Sequence, residues 1–521
     1  MQFPGLNFDL TCSGAPANID TLIGYPTPGS ATLQQDDSVD FEASLLENFQ
    51  LPHKQVLIQL VDLFFEHLCH MFPCFHKKSF IAKVRSGDME IEAPLLLYAI
   101  CAVTARYHPD DSVKRRGKDW YEQARFSYEL TRRIHHPALR TLQAVPLLVF
   151  HAYTIGDFSA SWLFLGKAWR QAVVLGMNRM DASHAVAMGL TRLDATAGDD
   201  RIYCLEKSEG KTLVEREEYR RALWLLFMMD RMHAWPTGWP AAITETQFKV
   251  DIPIADTLLQ ALDPELEESP YANILFTRNL SRLIASSSSA NHPLNLFHYI
   301  AIAHILLGRV AELIHSLHNV PDTLEYADDC AELDAHIVRF RLSLPRQATY
   351  VLEAPPADRG HVVWLHITLN TMAILLHYRC SKNVPVSNTA SQFTLAVIAA
   401  RNTAQIVKDA SRISTELLLS AHIGSSLYVA ACVLVIQWRL TGDESLKEDI
   451  ELFGLVFERM DEVFSFLGLK FKFALEHDLK RSEGDLMSLR ERGFRGLLAD
   501  CSKWEHVKEG VKRRGIDIDI S

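Results

Sequence analysis

The chain has 521 residues, 48% of them hydrophobic and 22% charged, with a formal net charge of -11. That length and apolar content predict a large buried core and exclude a low-complexity or wholly disordered polypeptide. The acidic balance excludes attraction to polyanions through net charge, so any nucleic-acid contact would need a local basic patch.

Residues 1–50 read as a weakly ordered segment. Gly, Pro, Ser and Thr dominate as far as Ser30, with Pro26-Thr27-Pro28-Gly29 as a breaker. From Asp36 to Phe49 acidic residues interleave with bulky apolar ones. In such a segment the acids keep apolar side chains solvated until a partner groove takes them, which makes Phe41, Leu45, Leu46 and Phe49 the contact residues of an activation segment. The plainer reading is an amphipathic helix packed on the body.

From Pro52 the pattern is helical. Leu57, Leu60, Val61, Phe64, Phe65 and Leu68 mark one face of the first helix. Leu95 to Val103 is apolar nearly all round and reads as central. Trp120 to Ile134 is amphipathic, Leu139 to Tyr153 contains Pro146 as a candidate kink, and Ala160 to Leu175 closes on Gly176. Asp181 to Lys211 is polar and reads as a long excursion. Further helices are predicted over about 293–317, 324–344, 360–380, 390–412, 414–440, 445–467 and 486–508. Ser425 to Trp438 is the most apolar run, yet it falls short of a membrane span and reads as a buried helix. No series of short alternating segments suggests a sheet. The expected fold is all-α, a large array of packed antiparallel helices, with a core over 52–260 and a continuous C-terminal half over 261–521.

The nine cysteines run from Cys12 to Cys501, an odd number in mostly apolar surroundings, as free thiols in a reducing compartment would be. Met1-Gln2-Phe3-Pro4 lacks the basic and apolar regions of a secretory signal, and no membrane attachment is expected. His67, Cys69, His70, Cys74 and His76 crowd together, but Phe64, Leu68, Phe72 and Phe75 interleave with them. Zinc sites usually set two short-spaced ligand pairs apart, so core packing at a helix end is expected here and no metal ligand is nominated. No nucleophile elbow, phosphate-cradling glycine loop or paired-carboxylate motif is present. Neither an enzymatic activity nor a cofactor is expected. Lys114-Arg115-Arg116-Gly117-Lys118 and Lys512-Arg513-Arg514 are basic clusters that suit either nuclear import or a solvated surface.

The most specific stretch is Glu215 to Arg231, a helix with an acidic first turn, the pair Arg220 and Arg221, an aromatic-aliphatic body around Trp224, and then Asp230-Arg231. Asp230 falls in line with Leu223, Leu226 and Phe227 on a core-facing stripe. A carboxylate there is costly unless cations or donors satisfy it. Arg106, Arg125 or Arg179 from another helix is the expected partner.

In order along the chain, Phe72-Pro73-Cys74-Phe75-His76, Trp120-Tyr121-Glu122-Gln123-Ala124-Arg125, Ser161 to Ala168 with Ala172 to Arg179, Glu217 to Arg231, and Asp251-Ile252-Pro253 resemble the fungal-specific transcription factor domain, the middle regulatory region of zinc-cluster activators. Where that family usually continues with Gly-Arg-Pro, this chain has Thr237-Gly238-Trp239-Pro240. Cys12 is the only cysteine before Cys69, so the family's six-cysteine zinc cluster is not expected in this chain.

The resemblance implies a nuclear transcription regulator of RNA polymerase II genes. Its helical regulatory and effector domain would answer to a small metabolite or to dimerisation and would contact proteins of the transcription machinery. With no zinc cluster and no basic recognition helix, direct DNA contact is not expected; the chain would reach DNA through a DNA-binding partner, or derive from a truncated gene product. Arg220, Arg221, Trp224, Asp230 and Arg231 are the residues expected to matter, in a structural role. The alternative is a helical protein-binding adaptor without transcriptional output.

Overall fold

The computed structural model describes residues 50–131, 138–182, 212–266, 270–287, 294–318, 323–378, 386–464, 466–486 and 505–514. Phe41, Leu45, Leu46 and Phe49 lie outside them. Among the described residues the fold is all-α. The only pairing of strand type among the described residues is an isolated bridge between Ile252 and Ile274.

The first helix, α1 (Lys54–Leu63), buries Leu57, Leu60 and Val61. It then loosens into a π turn over Phe64–Leu68 and tightens into a 3-10 turn over Cys69–Met71. This change of pitch turns successive aromatics onto one another. The Phe64 ring lies 5.3 Å from Phe75 and 6.3 Å from Phe72, and Phe75 lies 5.3 Å from Phe80. The Cys-His cluster dissolves into separate packing roles: His67 stacks on Tyr107, Cys74 is enclosed, and the His76 ring accepts from the Ser79 N–H to cap α2 (Lys77–Ser86). No group of three or more candidate ligands is placed to hold a metal ion among the described residues.

Next come α3 (Asp88–Glu92), α4 (Pro94–Thr104), α5 (Asp111–Arg115) and α6 (Gly117–Leu130). Pro94 starts α4, where its missing N–H costs nothing, and the helix is buried from Leu96 to Thr104. Then α7 (Ala138–Ile155) runs unbroken through Pro146, and α8 (Phe158–Val174) is capped by Asp157 and closed by Gly176 at φ +70°. The sequence places the end of α6 at Ile134; the helix ends at Leu130.

The Glu215–Arg231 stretch lies within α9 (Leu213–Thr237), opened by a capping box between Thr212 and Glu215 and closed by Gly238 at φ +71°. It packs between α7 and α12 (Leu296–His315), with α8 alongside. Short helices α10 (Asp256–Ala261) and α11 (Leu280–Ser287) connect these layers. The C-terminal half continues through α13 (Leu324–Ser343), α14 (Arg346–Thr349), α15 (Arg359–His377), α16 (Val386–Ile413), α17 (Gly424–Thr441), α18 (Glu444–Phe464), α19 (Leu467–Leu479) and α20 (Glu505–Arg513). Neighbours in sequence pack as neighbours in space, and α19 returns to touch α7. Leu51–Ser521 form one compact unit.

Among the described residues two helices are long and apolar enough to cross a membrane by composition, Leu296–His315 and Ala421–Thr441, with 83% and 78% of their apolar windows buried in the body. The helix α19 departs from the sequence reading, which leaves a gap between 467 and 486. Gly468, which weakens a helical pattern, is needed for the crossing: a Cβ there would collide with the backbone of Phe457 and Asp461 on α18.

Candidate functional site

The helix α9 is buried on every side from Glu217 to Pro236, with Arg220 alone half-buried. Beside it runs the segment from Pro240 to Ala255, which holds only the short 3-10 turn Glu245–Gln247. Ile243, Phe248, Val250 and Ile252 on this segment are wholly enclosed. A buried chain without a helix or sheet leaves main-chain donors and acceptors that must find partners elsewhere. Polar side chains of α9 supply them.

Ile243 donates its N–H to Asp230 Oδ2 at 2.9 Å, while its carbonyl accepts from Arg231 Nη2 at 2.5 Å. Arg231 Nη1 closes the arrangement on Asp230 Oδ2 at 2.8 Å, and Asp230 Oδ1 takes the Ala242 N–H at 3.0 Å. About three turns closer to the helix N-terminus the same device recurs. The Ile254 N–H is bound by Glu217 Oε1 at 2.9 Å, its carbonyl by Arg221 Nη2 at 2.6 Å, and Arg221 Nε meets Glu217 Oε1 at 3.3 Å. Between them, Trp224 Nε1 donates to the Asp251 carbonyl at 2.8 Å, and Asp181 accepts the Asp251 N–H at 2.9 Å. Asp181 is held in turn by both arms of Arg220, at 2.6 and 2.9 Å. Each clamp treats one residue of the segment as a neighbouring strand would, taking its N–H and feeding its carbonyl.

All five nominated residues therefore converge on one task. Asp230 is fully buried, but its partner differs from the expectation. Arg106 donates to the Val463 carbonyl at 2.6 Å and Arg125 pairs with Glu122, so neither reaches it. Its partner is Arg231, the next residue along. Adjacent helix positions do not face each other, and the contact forms because the guanidinium folds back over the Phe227 ring, 4.2 Å away. Burial pushes the Asp230 carboxyl up, opposed by Arg231 and by the two main-chain donors. Burial likewise raises Glu218, against Arg140 at 3.2 Å and the His76 N–H at 2.8 Å. Burial works against the charge on Arg220, but Asp181 outweighs it and holds the guanidinium above its ordinary range.

The sequence reading missed Asp181, Glu217 and Glu218 as partners. Glu217 and Arg221 stand four apart on the helix, which was the available signal. Asp181 opens a polar stretch and carries no such mark.

Arg221 also reaches forward, to the Pro73 carbonyl at 2.8 Å and Asp256 Oδ1 at 3.1 Å. There it lines a cavity of about 870 Å³ between α2, α9, α10, α12 and α15. A second cavity of about 690 Å³ adjoins it, and His70, Ala357, His361 and Trp364 line both.

The fungal specific transcription factor domain matches residues 61–328, just over half of the chain. The chain belongs to that family. Its match encloses α9, the clamped segment and the Phe-Pro turn. Among similar proteins, the Zn(2)-C6 fungal-type transcription factor FTF1c of Fusarium oxysporum f. sp. lycopersici is 26% identical over 243 residues, covering 44% of this chain and 23% of that protein. An uncharacterised transcriptional regulatory protein of Schizosaccharomyces pombe is 28% identical over 188 residues, 35% of this chain and 17% of that protein. A second from the same yeast is 21% identical over 364 residues, 67% of this chain and 52% of that protein. The chain thus spans about a quarter of the Fusarium relative.

The family is one of transcription factors, not of enzymes. At the point where this member departs from the usual Gly-Arg-Pro turn, Gly238 still closes α9, donating to the Ala234 carbonyl at 2.9 Å. Trp239 meets Trp162 edge-on at 5.5 Å, and Trp162 Nε1 donates to the Pro240 carbonyl at 3.1 Å.

Proposed function

We propose that the chain is a transcription regulator whose helical body is a regulatory and effector domain, acting in the nucleus on genes read by RNA polymerase II. The observation that carries this reading is the position of the family's most recognisable block. Its charged residues fix one packing of α9 against residues 240–256, and Arg221 extends from that packing into the wall of a ligand-sized cavity. A body with a fixed register and a cavity at its clamp suits a domain that answers to a small-molecule effector. The relatives named as transcription factors or transcriptional regulatory proteins support the assignment. Contact with the transcription machinery is assigned to the acidic-apolar segment from Asp36 to Phe49. Recruitment to DNA is assigned to a DNA-binding partner or a second copy of the chain.

The test is a reporter driven by the full chain fused to a heterologous DNA-binding domain. Output is expected, and replacing Phe41, Leu45, Leu46 and Phe49 together by Ala is expected to abolish it. A fusion that neither raises nor lowers the reporter, although expressed and nuclear, would overturn the reading in favour of a protein-binding adaptor.

A further inference from the structure

The larger cavity has a chemistry of its own. Its wall is apolar, built from Phe65, Ile81, Met228, Phe297, Ile300 and Trp364. These come from the π turn after α1 and from α2, α9, α12 and α15, so an occupant would touch five separate pieces of the body at once. The volume, about 870 Å³, is that of a site for an organic molecule, not for a water or an ion.

The polar groups are unevenly placed. Lys77, Lys78 and Arg85 stand exposed along α2 at one side of the opening. Lys77 lies over the Phe65 ring at 5.5 Å, and none of the three enters an ion pair among the described residues. Elsewhere on the same stretch the lysines are matched: Lys54 pairs with Glu90 and Lys83 with Glu92. Two carboxylates face the cavity. Asp256 is engaged by Arg221, and burial pushes the Asp358 carboxyl up, against the charged form. Three cations outside any ion pair among the described residues therefore meet one reluctant anion, in a chain whose net charge is -11. The cationic side is a local reversal of the overall charge, and the long lysine and arginine stems can follow a ligand down into the opening.

His70 and His361 stand where this cavity adjoins the second one. His70 and His361 meet edge-on at 6.4 Å, and His361 Nε2 donates to the His70 carbonyl at 2.7 Å. Burial, with His361 beside it, holds the His70 imidazole down at about 4. The apolar end of an occupant therefore lies among Phe65, Phe297 and Trp364, and its charge stays with the exposed cations of α2.

We infer that this cavity binds an apolar organic acid, an aromatic or branched hydrocarbon body inserted between Phe65, Phe297 and Trp364 with its anionic group against Lys77, Lys78 and Arg85. This deepens the regulatory reading, on which its biological purpose rests; the binding itself stands on the cavity alone. Because the ligand would bridge α2, α9 and α15, binding would favour the clamped state by linkage.

Two probes of one shape separate the terms. Anilinonaphthalene sulfonate is an aromatic anion, and phenylnaphthylamine has the same rings without the charge. With the full chain, fluorescence titration is expected to show both probes binding, the anion more tightly, with a raised Tm. The double variant Lys77→Glu, Lys78→Glu is expected to weaken the anion roughly tenfold and leave the neutral probe within about twofold. Acidic residues suit the first turn of α2, so this variant keeps its fold. Ala82→Trp and Thr257→Trp place bulk in the cavity from exposed positions, and each is expected to weaken both probes while far-UV circular dichroism stays unchanged. If the tryptophan variants bind both probes as before, the site is elsewhere and the proposal fails. If charge reversal weakens the two probes equally, or neither, the assignment to an anion fails. A silent reporter fusion with intact probe selectivity would remove the transcriptional reading and leave the ligand site standing.

Discussion

Gly308 on α12 lies directly against the stem of Arg231, so that a Cβ at 308 would collide with the arginine Cδ and Nε. The close approach of α12 to α9 is what lets the guanidinium fold flat over Phe227 and reach both Asp230 and the Ile243 carbonyl. Gly308→Ala is therefore expected to destabilise by about 1–3 kcal/mol through overpacking, although alanine favours a helix. Gly454 on α18 has nothing within 4 Å of its virtual Cβ, and Gly454→Ala is expected to stabilise by about 0.5–1 kcal/mol. Urea midpoints that move in the same direction would contradict this.

Removing Asp230 leaves Arg231 buried and two main-chain N–H groups without an acceptor. Asp230→Ala is expected to cost roughly 3 kcal/mol or more in a denaturant titration. The double variant Asp230→Ala, Arg231→Leu is expected to lose less than the sum of its single changes, because the stranded charge is gone. Near-wild-type stability of the single variant would refute a buried pair.

Trp224 is fully buried, and its ring also packs within 4.9 Å of Phe248. Trp224→Phe keeps an aromatic ring there but removes the donor to the Asp251 carbonyl. A loss of about 1–3 kcal/mol is expected, along with faster amide exchange at Asp251 and Ile252. Unchanged exchange would mean that the middle clamp does not hold the segment.

Acid should unfold the body early. His151, His233, His304 and His422 are enclosed, and burial first of all holds their imidazoles down at about 3, 4, 4 and 3. Arg106 adds to the effect at His151, Arg231 at His304, and His304 and His233 at His422. An unfolded histidine takes up its proton near 6.5. Below that value the unfolded chain binds protons that the folded chain refuses, so stability present above about 6.5 is lost as pH falls towards 4. Each imidazole contributes about 1.4 kcal/mol per pH unit in that window. Asp230 and Glu218, whose carboxyls burial raises, work in the opposite sense and offset part of it. His422→Phe keeps a ring against Trp364, 5.8 Å away, and should flatten the pH dependence of the urea midpoint. A profile as steep as that of the parent would overturn the assignment.

The helices were legible because their apolar periods and caps are local. Asp230 was legible as buried because a carboxylate in line with Leu223, Leu226 and Phe227 has nowhere else to go. Its partners were not, since two of them are backbone N–H groups, at Ala242 and Ile243, which no side chain announces. The same blindness hid Glu217 and Asp181, whose acceptor roles fall on Ile254 and Asp251. The helix α19 fell in the gap between 467 and 486, and nothing local marks Gly468 as the crossing of two backbones.

Because the helix grips Ile243, Asp251 and Ile254 by their main chain, mutational tolerance across this contact is lopsided. Ile243 and Ile254 could drift to other apolar residues of similar volume and keep every polar contact. A single exchange at Glu217, Arg221 or Asp230 would release a neighbour that it never resembled. Selection in this family would then read as invariance on the spiral and freedom on the ribbon beside it.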